Sequence, residues 1–283
     1  MEPLAKNIYL INEFMASMFN LSGLIDHLNA DISMLFLTPL CLLIGLTASL
    51  VGIGGGVLLV PFLNLVLGMD IKRSVGTSLF VIFFIALTAT CSYWRRRLVS
   101  WRMGLLMEGG SIPGAVASSL ASPWLPSIYI KVCFVALLAY IAIKMWRGDE
   151  AKAVNRSTPK SDPLGALKLV GMGFLAGSLS GLLGIGGGVV KVPILVMTVG
   201  MPMHSAVATS EFMIMFTVLS GALSHGEVGN VNYGLGLLIV PWVVVGSFLG
   251  TKLAVRLKRA VLRKFFSVVM ILIAFKMALS LLG

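Results

Sequence analysis

A glycine-rich break inside an apolar segment occurs twice in this chain and constrains its fold more than any other feature. The sequence GIGGGV stands at residues 52–57 and again at residues 184–189. Consecutive glycines interrupt a helix, because glycine adopts left-handed backbone angles readily. The apolar runs that follow, 57–67 and 189–200, are about half of the ~20 residues that a membrane-spanning helix needs. The sequence therefore predicts two broken helices in corresponding places.

The composition places these breaks inside a membrane protein. Of the 283 residues, 58% are hydrophobic and only 12% are charged, with a mean hydropathy of +0.98. Such a chain has too little polar surface for a soluble globule. The formal net charge of +11 would suggest nucleic acid as a partner of a soluble protein, but here the basic residues cluster between apolar runs. We therefore expect the lipid bilayer as a partner and no nucleic acid.

The apolar runs predict an all-α polytopic membrane protein with two repeats. Each repeat is expected to hold a glycine-broken re-entrant or half-helix pair and three spanning helices, with repeat 1 at 35–146, a cytoplasmic linker at 147–163 and repeat 2 at 164–283. Residues 1–34 form an N-terminal interfacial segment in which 8–25 lie on the membrane or, alternatively, span it. The runs are 35–51, 57–67, 75–94, 104–121, 128–146, 164–183, 189–200, 206–224, 234–255 and 261–282.

A single offset of 132 residues relates the two halves without a gap. Informative residues, rather than common leucines and valines, match across it. This regularity indicates an internal duplication. The matches include Gly54 with Gly186, Pro61 with Pro193, Gly68 with Gly200, Thr77 with Thr209, Gly114 with Gly246 and Phe134 with Phe266.

Loop charges predict that the two repeats enter the membrane in opposite directions. The connector Arg95–Arg102 is strongly basic, whereas its equivalent, His225–Tyr233, has no Lys or Arg. The next connector reverses this pattern, with a basic cluster at Arg256–Lys264 in the second half only. Basic loops stay on the cytoplasmic side. We therefore expect inverted repeats, cytoplasmic loops at Arg95–Arg102, Arg147–Lys160 and Arg256–Lys264, and the C-terminus outside.

The glycine breaks are the candidate substrate site. Irregular backbone at membrane depth persists only beside protein or a watery cavity, and paired breaks in two repeats are typical of a transporter's substrate site. The helices that open after the glycines would present N–H groups and positive dipole ends to an anion. Close helix packing is the alternative role, and the phosphate-loop motifs are incomplete. The candidate residues are Gly52, Gly54, Gly55, Gly56, Gly184, Gly186, Gly187 and Gly188.

Polar and charged residues near the breaks complete the candidate site. Lys191 follows the second break and would supply positive charge to an anion, or would snorkel to the surface. The pairs Thr77-Ser78 and Thr209-Ser210 would donate hydroxyl hydrogen bonds to an oxyanion, or would act as N-caps.

Two acidic residues in apolar surroundings are coupling candidates. Glu211 and Glu108 would bind a coupling proton, or would pair with a nearby lysine. The chain shows no metal-ligand spacing, no nucleophile with a partnered base and no nucleotide motif. We therefore expect no metal, no cofactor and no enzymatic activity.

Two halves that each carry GIGGGV, a proline and then a Thr-Ser pair resemble the sulfite exporter TauE/SafE family of membrane permeases. The resemblance covers residues from about 35 to 282. It implies secondary transport, usually across the bacterial inner membrane, of small sulfur-containing anions such as sulfite, sulfoacetate or other organosulfonates. The expected mechanism is alternating access at a midplane site between the two helix N-termini, coupled to a proton or another ion. A passive anion channel is the alternative.

Overall fold

The structure, a computed structural model, describes residues 38–147 and 163–254, with isolated positions at 271, 275 and 278. The predicted interfacial segment at 1–34, nearly all of the linker at 147–163 and the basic cluster Arg256–Lys264 lie outside the described residues. So does most of the apolar run 261–282. Within the described ranges every regular element is a helix, and four helices are long and apolar enough to cross a membrane.

The helix bounds agree with the predicted apolar runs to within a few residues. In the first half the helices are α1 (Thr38–Val51), α2 (Gly56–Pro61, continued by a π-helical turn, Phe62–Val66), α3 (Ile71–Trp94), α4 (Trp101–Ala121) and α5 (Ser127–Arg147). In the second half they are α6 (Pro163–Leu183), α7 (Gly188–Met197), α8 (Met203–Glu227) and α9 (Tyr233–Leu253).

One predicted connector is shorter than expected. We expected a loop over His225–Tyr233, but α8 continues through Glu227. His225 is fully buried in the last turn of this helix, and its Nε2 lies 2.8 Å from the carbonyl oxygen of Gly181. A polar residue near the end of an apolar run suggests a loop, whereas here a carbonyl oxygen of a neighbouring helix is the partner of one ring nitrogen inside the protein.

The predicted breaks are confirmed, and their backbones repeat. Gly52, Gly54 and Gly55 have φ angles of 73°, 84° and 81°, in the left-handed region that glycine favours. Their equivalents in the second half, Gly184, Gly186 and Gly187, have φ angles of 68°, 77° and 75°. The duplication therefore extends from the sequence to the backbone conformation.

Helices α3 and α8 form the centre of the protein and run antiparallel. Their most apolar stretches are 67% and 72% buried, against 39% for α6 and α9. Near the start of α3, Gly76 lies against the carbonyl of Asn230, which follows the end of α8. Near the start of α8, Thr209 bonds to Ser100, which follows the end of α3. Equivalent central helices thus have opposite directions, while the insertion of each half into the bilayer stays a prediction.

The first helix of each half packs against a helix of the other half. Gly114 on α4 lies against the carbonyl of Phe174 on α6, and Gly246 on α9 lies in the same way against Leu42 on α1. A Cβ at either glycine would overlap the facing carbonyl oxygen, so these helices approach more closely than larger residues allow. The offset that relates the sequences also relates these two contacts. The pairs α4–α6 and α1–α9 are therefore equivalent and cross between the halves.

The outer surface of the described helices suits a bilayer. Large apolar side chains are exposed on the outer faces of several helices, including Phe174 on α6 and Trp242 and Phe248 on α9. Trp94 and Trp101 are about half exposed at facing helix ends, where aromatic anchors are typical of the membrane interface. Arg95 to Arg97 are exposed in the turn between them. The chain is an integral membrane protein.

Candidate functional site

The two glycine breaks meet in the centre of the protein. Gly56, at the start of α2, lies directly against the carbonyl of Gly184, and Gly188, at the start of α7, lies against the carbonyl of Gly52. All four glycines are buried. Either contact is so close that a Cβ would overlap a backbone oxygen, which no side-chain movement can relieve. The structure therefore brings together the eight glycines that the sequence singles out.

Both breaks leave backbone donors without a carbonyl partner. The carbonyl of Gly55 accepts from the N–H of Leu59 (2.9 Å), and that of Gly187 accepts from the N–H of Lys191 (3.0 Å), so each short helix is closed at its first turn. The N–H groups of Gly54 and Gly186 donate to no backbone carbonyl within the described ranges. A helix start with unpaired N–H groups attracts negative charge.

Two serines hold the breaks reciprocally. The hydroxyl of Ser78 on α3 donates to the carbonyl of Gly184 (2.9 Å), and the hydroxyl of Ser210 on α8 donates to the carbonyl of Gly52 (3.1 Å). Both serines are fully buried. Each serine therefore binds the break of the other half, and reciprocity of this kind is what an internal two-fold relation produces.

Two threonines beside these serines make a second reciprocal pair. The Thr77 hydroxyl oxygen accepts from the N–H of Asn232 (2.9 Å), and the Thr209 hydroxyl oxygen accepts from the N–H of Ser100 (3.0 Å). Asn232 and Ser100 immediately precede α9 and α4, the fourth helix of each half. The threonines thus join the central helices to the opposite half.

The N-capping alternative for the Thr-Ser pairs is wrong. They lie in the second turn of α3 and α8, and the cap of α3 is Asp70, whose side chain accepts from the N–H of Lys72 (2.9 Å). In this conformation the serine hydroxyls donate to carbonyls of the breaks. Their donation to an oxyanion stays a prediction.

A buried ion pair lies beside the second break. The Lys191 ammonium donates to Oε1 of Glu108 on α4 (2.5 Å) and to the hydroxyl oxygen of Thr217 on α8 (2.5 Å). That hydroxyl in turn lies 2.7 Å from the second Glu108 oxygen, Oε2. Lys191 and Thr217 are 0% exposed and Glu108 is 2% exposed. We call Glu108, Lys191 and Thr217 the polar triad.

The triad decides between the two roles predicted for these charges. Snorkelling does not describe Lys191, because its ammonium points to Glu108 and not to the surface. A lone buried charge would be very unfavourable, whereas a pair with additional hydrogen bonds offsets much of the desolvation. The Lys191 side chain also runs past the break, since its Cε lies 3.4 Å from the place that a Cβ on Gly187 would occupy. The positive charge that Lys191 brings to the second break is therefore held by a carboxylate.

Sequence reasoning missed Thr217. Threonines are common in apolar helices, and Thr217 belongs to no sequence motif that would indicate a functional role. A signal does exist in the repeat, because the positions equivalent to Lys191, Glu108 and Thr217 are apolar: Leu59, Val240 and Ile85. A search for polar residues whose equivalents in the other half are apolar would therefore have found all three residues of the triad.

Glu211 is a second buried acidic residue, and it takes no part in the hydrogen bonds of the triad. It follows Ser210 on α8, it is 0% exposed, and neither carboxyl oxygen has a hydrogen-bond partner among the residues that the structure describes. Its equivalent in the first half is Leu79. A buried carboxyl group without a partner is strongly disfavoured as a charged species. It therefore stays a candidate for proton binding.

The comparisons with known proteins agree with the membrane architecture. The family model described as sulfite exporter TauE/SafE matches residues 18–277. A probable membrane transporter protein of Bacillus subtilis, YunE, is 31% identical over 85% of this chain and 96% of its own length. A probable membrane transporter protein of Methanocaldococcus jannaschii is 29% identical over 79% of this chain and 88% of its own.

No solved structure matches the chain. The family model nevertheless covers both glycine breaks, the Thr-Ser pairs and the triad. This family consists of membrane transporters and not of enzymes. The chain belongs to the sulfite exporter TauE/SafE family of membrane transporters.

Proposed function

We propose that this protein is a secondary transporter of small sulfur-containing anions, such as sulfite or organosulfonates, which it binds between the two glycine breaks. The observation that carries the proposal is the meeting of two buried breaks in which the N–H groups of Gly54 and Gly186 have no backbone carbonyl partner within the described ranges. Unpaired donors at membrane depth are unfavourable unless a ligand or water satisfies them. A small oxyanion has acceptor oxygens on several sides and could bind donors from both breaks.

The reciprocal contacts support alternating access. Each break is held by a serine of the other half, so a movement of one half against the other changes the surroundings of both breaks at once. Glycines at these contacts let the helix backbones of the two halves lie close together. The sequence carries no nucleotide-binding motif, so an ion or proton gradient would supply the driving force.

The proposed location is the bacterial inner membrane, with the Arg95–Arg102 loop in the cytoplasm. The exposed arginines between α3 and α4 support this orientation. A single cysteine introduced at position 96 tests it in a variant without other cysteines. A membrane-impermeant maleimide should label that cysteine only after the cells are opened. Labelling of intact spheroplasts would reverse the proposed orientation.

Transport in proteoliposomes tests the function. Labelled sulfite, sulfoacetate and isethionate should enter with saturable kinetics, and unlabelled anion inside the vesicles should accelerate entry of labelled anion by counterflow. Labelled choline, a small cation, serves as the control and should not enter. Uptake no faster than in protein-free vesicles for every anion would refute the proposal. Unitary currents without counterflow would instead establish the alternative, a passive anion channel.

A further inference from the structure

We infer that Glu108 is the proton-binding site that couples transport, and that a proton on Glu108 releases the Lys191 ammonium to bind the substrate anion. This inference rests on the proposed function and explains how the same site would be driven. It concerns the polar triad, which connects both halves: Glu108 belongs to α4 of the first half, whereas Lys191 and Thr217 belong to α7 and α8 of the second.

The contacts of Lys191 are the first step of the argument. Its ammonium is bonded to Glu108 and Thr217, and both side chains of the ion pair are buried. While Glu108 is a carboxylate, an anion at the break would compete with it for the same ammonium. A proton on Glu108 removes the competing charge, and the ammonium then becomes the strongest positive partner at the break.

The position of Lys191 is the second step. Its own N–H is bonded to Gly187, and its Cε lies 3.4 Å from the Cβ position of that glycine. The side chain therefore extends along the backbone whose neighbouring N–H groups would bind the anion. A short rotation of its terminal bonds would turn the ammonium from Glu108 towards the break, which the flexible stem of lysine allows.

Charge balance is the third step. In the empty state, the ammonium and the carboxylate sum to zero. In the loaded state, the ammonium and one bound monoanion sum to zero, because Glu108 carries the proton. Both states are neutral in a low-dielectric interior, whereas a bound anion with an unprotonated Glu108 would leave an uncompensated negative charge. One proton therefore moves with each monoanion, in the same direction, from the water on one side to the water on the other.

The other titratable groups near Glu108 do not share this arrangement. Helices α6 and α8 pack against α4, and Lys168 on α6 is exposed. On α8, His225 is in contact with Gly181, and the Glu211 oxygens have no partner among the described residues. On α7, the triad's own Lys191 faces Glu108. Within these elements, Glu108 is thus the acidic group in contact with the cation beside the break.

A proton count tests the inference. The reconstituted protein is given an inward gradient of isethionate, sulfoacetate or sulfite in turn, with a pH indicator inside the vesicles and no imposed proton gradient. Isethionate is a strong-acid monoanion and carries no proton itself, so we expect about one proton to enter with each isethionate. The same ratio, beyond any proton that the anion itself carries, is expected for the monoanion hydrogen sulfite, whereas sulfoacetate, a dianion at neutral pH, reports transport only. Transport without proton entry would overturn the inference and leave the proposed function standing. No transport of any of the three anions would refute the proposed function itself.

Matched variants locate the proton. In Glu108→Gln, the anion should still enter down its gradient but proton entry should be lost. In Lys191→Met/Glu108→Gln, which removes both charges together, anion transport itself should be lost while the protein stays folded by gel filtration in detergent. Lys252→Met, at an exposed cation on α9, is the control for general loss of charge. Proton entry that persists in Glu108→Gln, or that is lost only in Glu211→Gln, would overturn the assignment.

Discussion

The two glycine breaks have the same backbone conformation, but the side chains beside them differ in charge. Their φ angles, their serine bonds and their glycine-to-carbonyl contacts repeat across the halves. Beside the second break, however, stand Lys191, Glu108 and Thr217, whereas the equivalent positions hold the apolar residues Leu59, Val240 and Ile85. Leu59 and Ile85 are as fully buried as Lys191. The duplication therefore built a symmetric scaffold, and divergence placed charge on one side of it.

This comparison separates two kinds of residue. Those that repeat, such as the glycines and the Thr-Ser pairs, hold the two halves together, so their loss should act alike in both halves. Those that do not repeat carry the charge, so their loss should act in one half only. The predictions below test this separation, in order of decreasing effect.

The largest effect is expected at the glycines that touch the opposite break. Gly56→Ala and Gly188→Ala each place a Cβ on a backbone oxygen, at Gly184 and Gly52 respectively. We expect almost no folded protein from either variant, as judged by fluorescence-detected gel filtration. Gly171→Ala is the matched control, because no atom lies within 4 Å of its Cβ position, and it should change stability by less than about 1 kcal/mol. A normal yield of folded protein from one variant but not the other would show that the two glycine contacts are not equivalent.

The next largest loss of stability should follow substitution at Lys191 in the second half and not at its equivalent in the first. Lys191→Met leaves the Glu108 carboxylate buried without its cation, which costs about 3–5 kcal/mol. Leu59→Met is the equivalent change in the first half and, as a volume-conserving swap, should cost less than about 1.5 kcal/mol. Thermal unfolding in detergent measures both. Adding Glu108→Gln to Lys191→Met should recover much of the loss, and a further decrease instead would show that the pair is not the source.

A smaller and symmetric effect is expected at the serines. Ser78→Ala and Ser210→Ala each leave a buried carbonyl of the opposite break without its side-chain donor. An unsatisfied buried group costs about 1–3 kcal/mol. The midpoints of thermal unfolding should therefore fall by similar amounts in the two variants. A fall confined to one of them would mean that the two breaks are held differently.

The smallest effect is expected at the threonines. Thr77→Val and Thr209→Val remove an acceptor from the N–H groups of Asn232 and Ser100, which are only partly buried. Water can replace part of the lost bond, so we expect about 1 kcal/mol in each case. Hydrogen exchange of these two amides should accelerate in the corresponding variant. Unchanged exchange would show that the hydroxyl oxygens are not their acceptors.

Much of this fold was predictable because hydropathy and glycine act locally. The apolar runs gave the helices within a few residues, and the doubled GIGGGV gave two breaks at the right places. The predicted end of α8 was wrong, since His225 looks like a loop residue until the contact of its Nε2 with Gly181 of a neighbouring helix is known. Local sequence cannot contain that contact.

Most residues of the candidate site could be singled out from the sequence, but Thr217 and the partners of the others could not. The glycines, Lys191 and Glu108 stand out because helix breaks and charges are unfavourable in hydrocarbon. That Lys191 binds Glu108, 83 residues away in the sequence, depends on how α4 packs against the second half. The exchange of Ser78 and Ser210 between breaks depends on the same packing. In the sequence, only the constant offset between the repeats indicated that the two halves pack against each other in this reciprocal way.

Anion binding to a charge-neutral variant tests the central claim most directly. Isothermal titration of sulfite and isethionate into the detergent-solubilised protein should give saturable binding of at least one anion to the parent chain. We predict that binding is lost in Lys191→Met/Glu108→Gln, although this variant unfolds near the parent temperature, and that it is retained in Leu59→Met. Equal binding by the parent and the double variant would contradict the account, because the charge beside the second break would then have no part in the anion site.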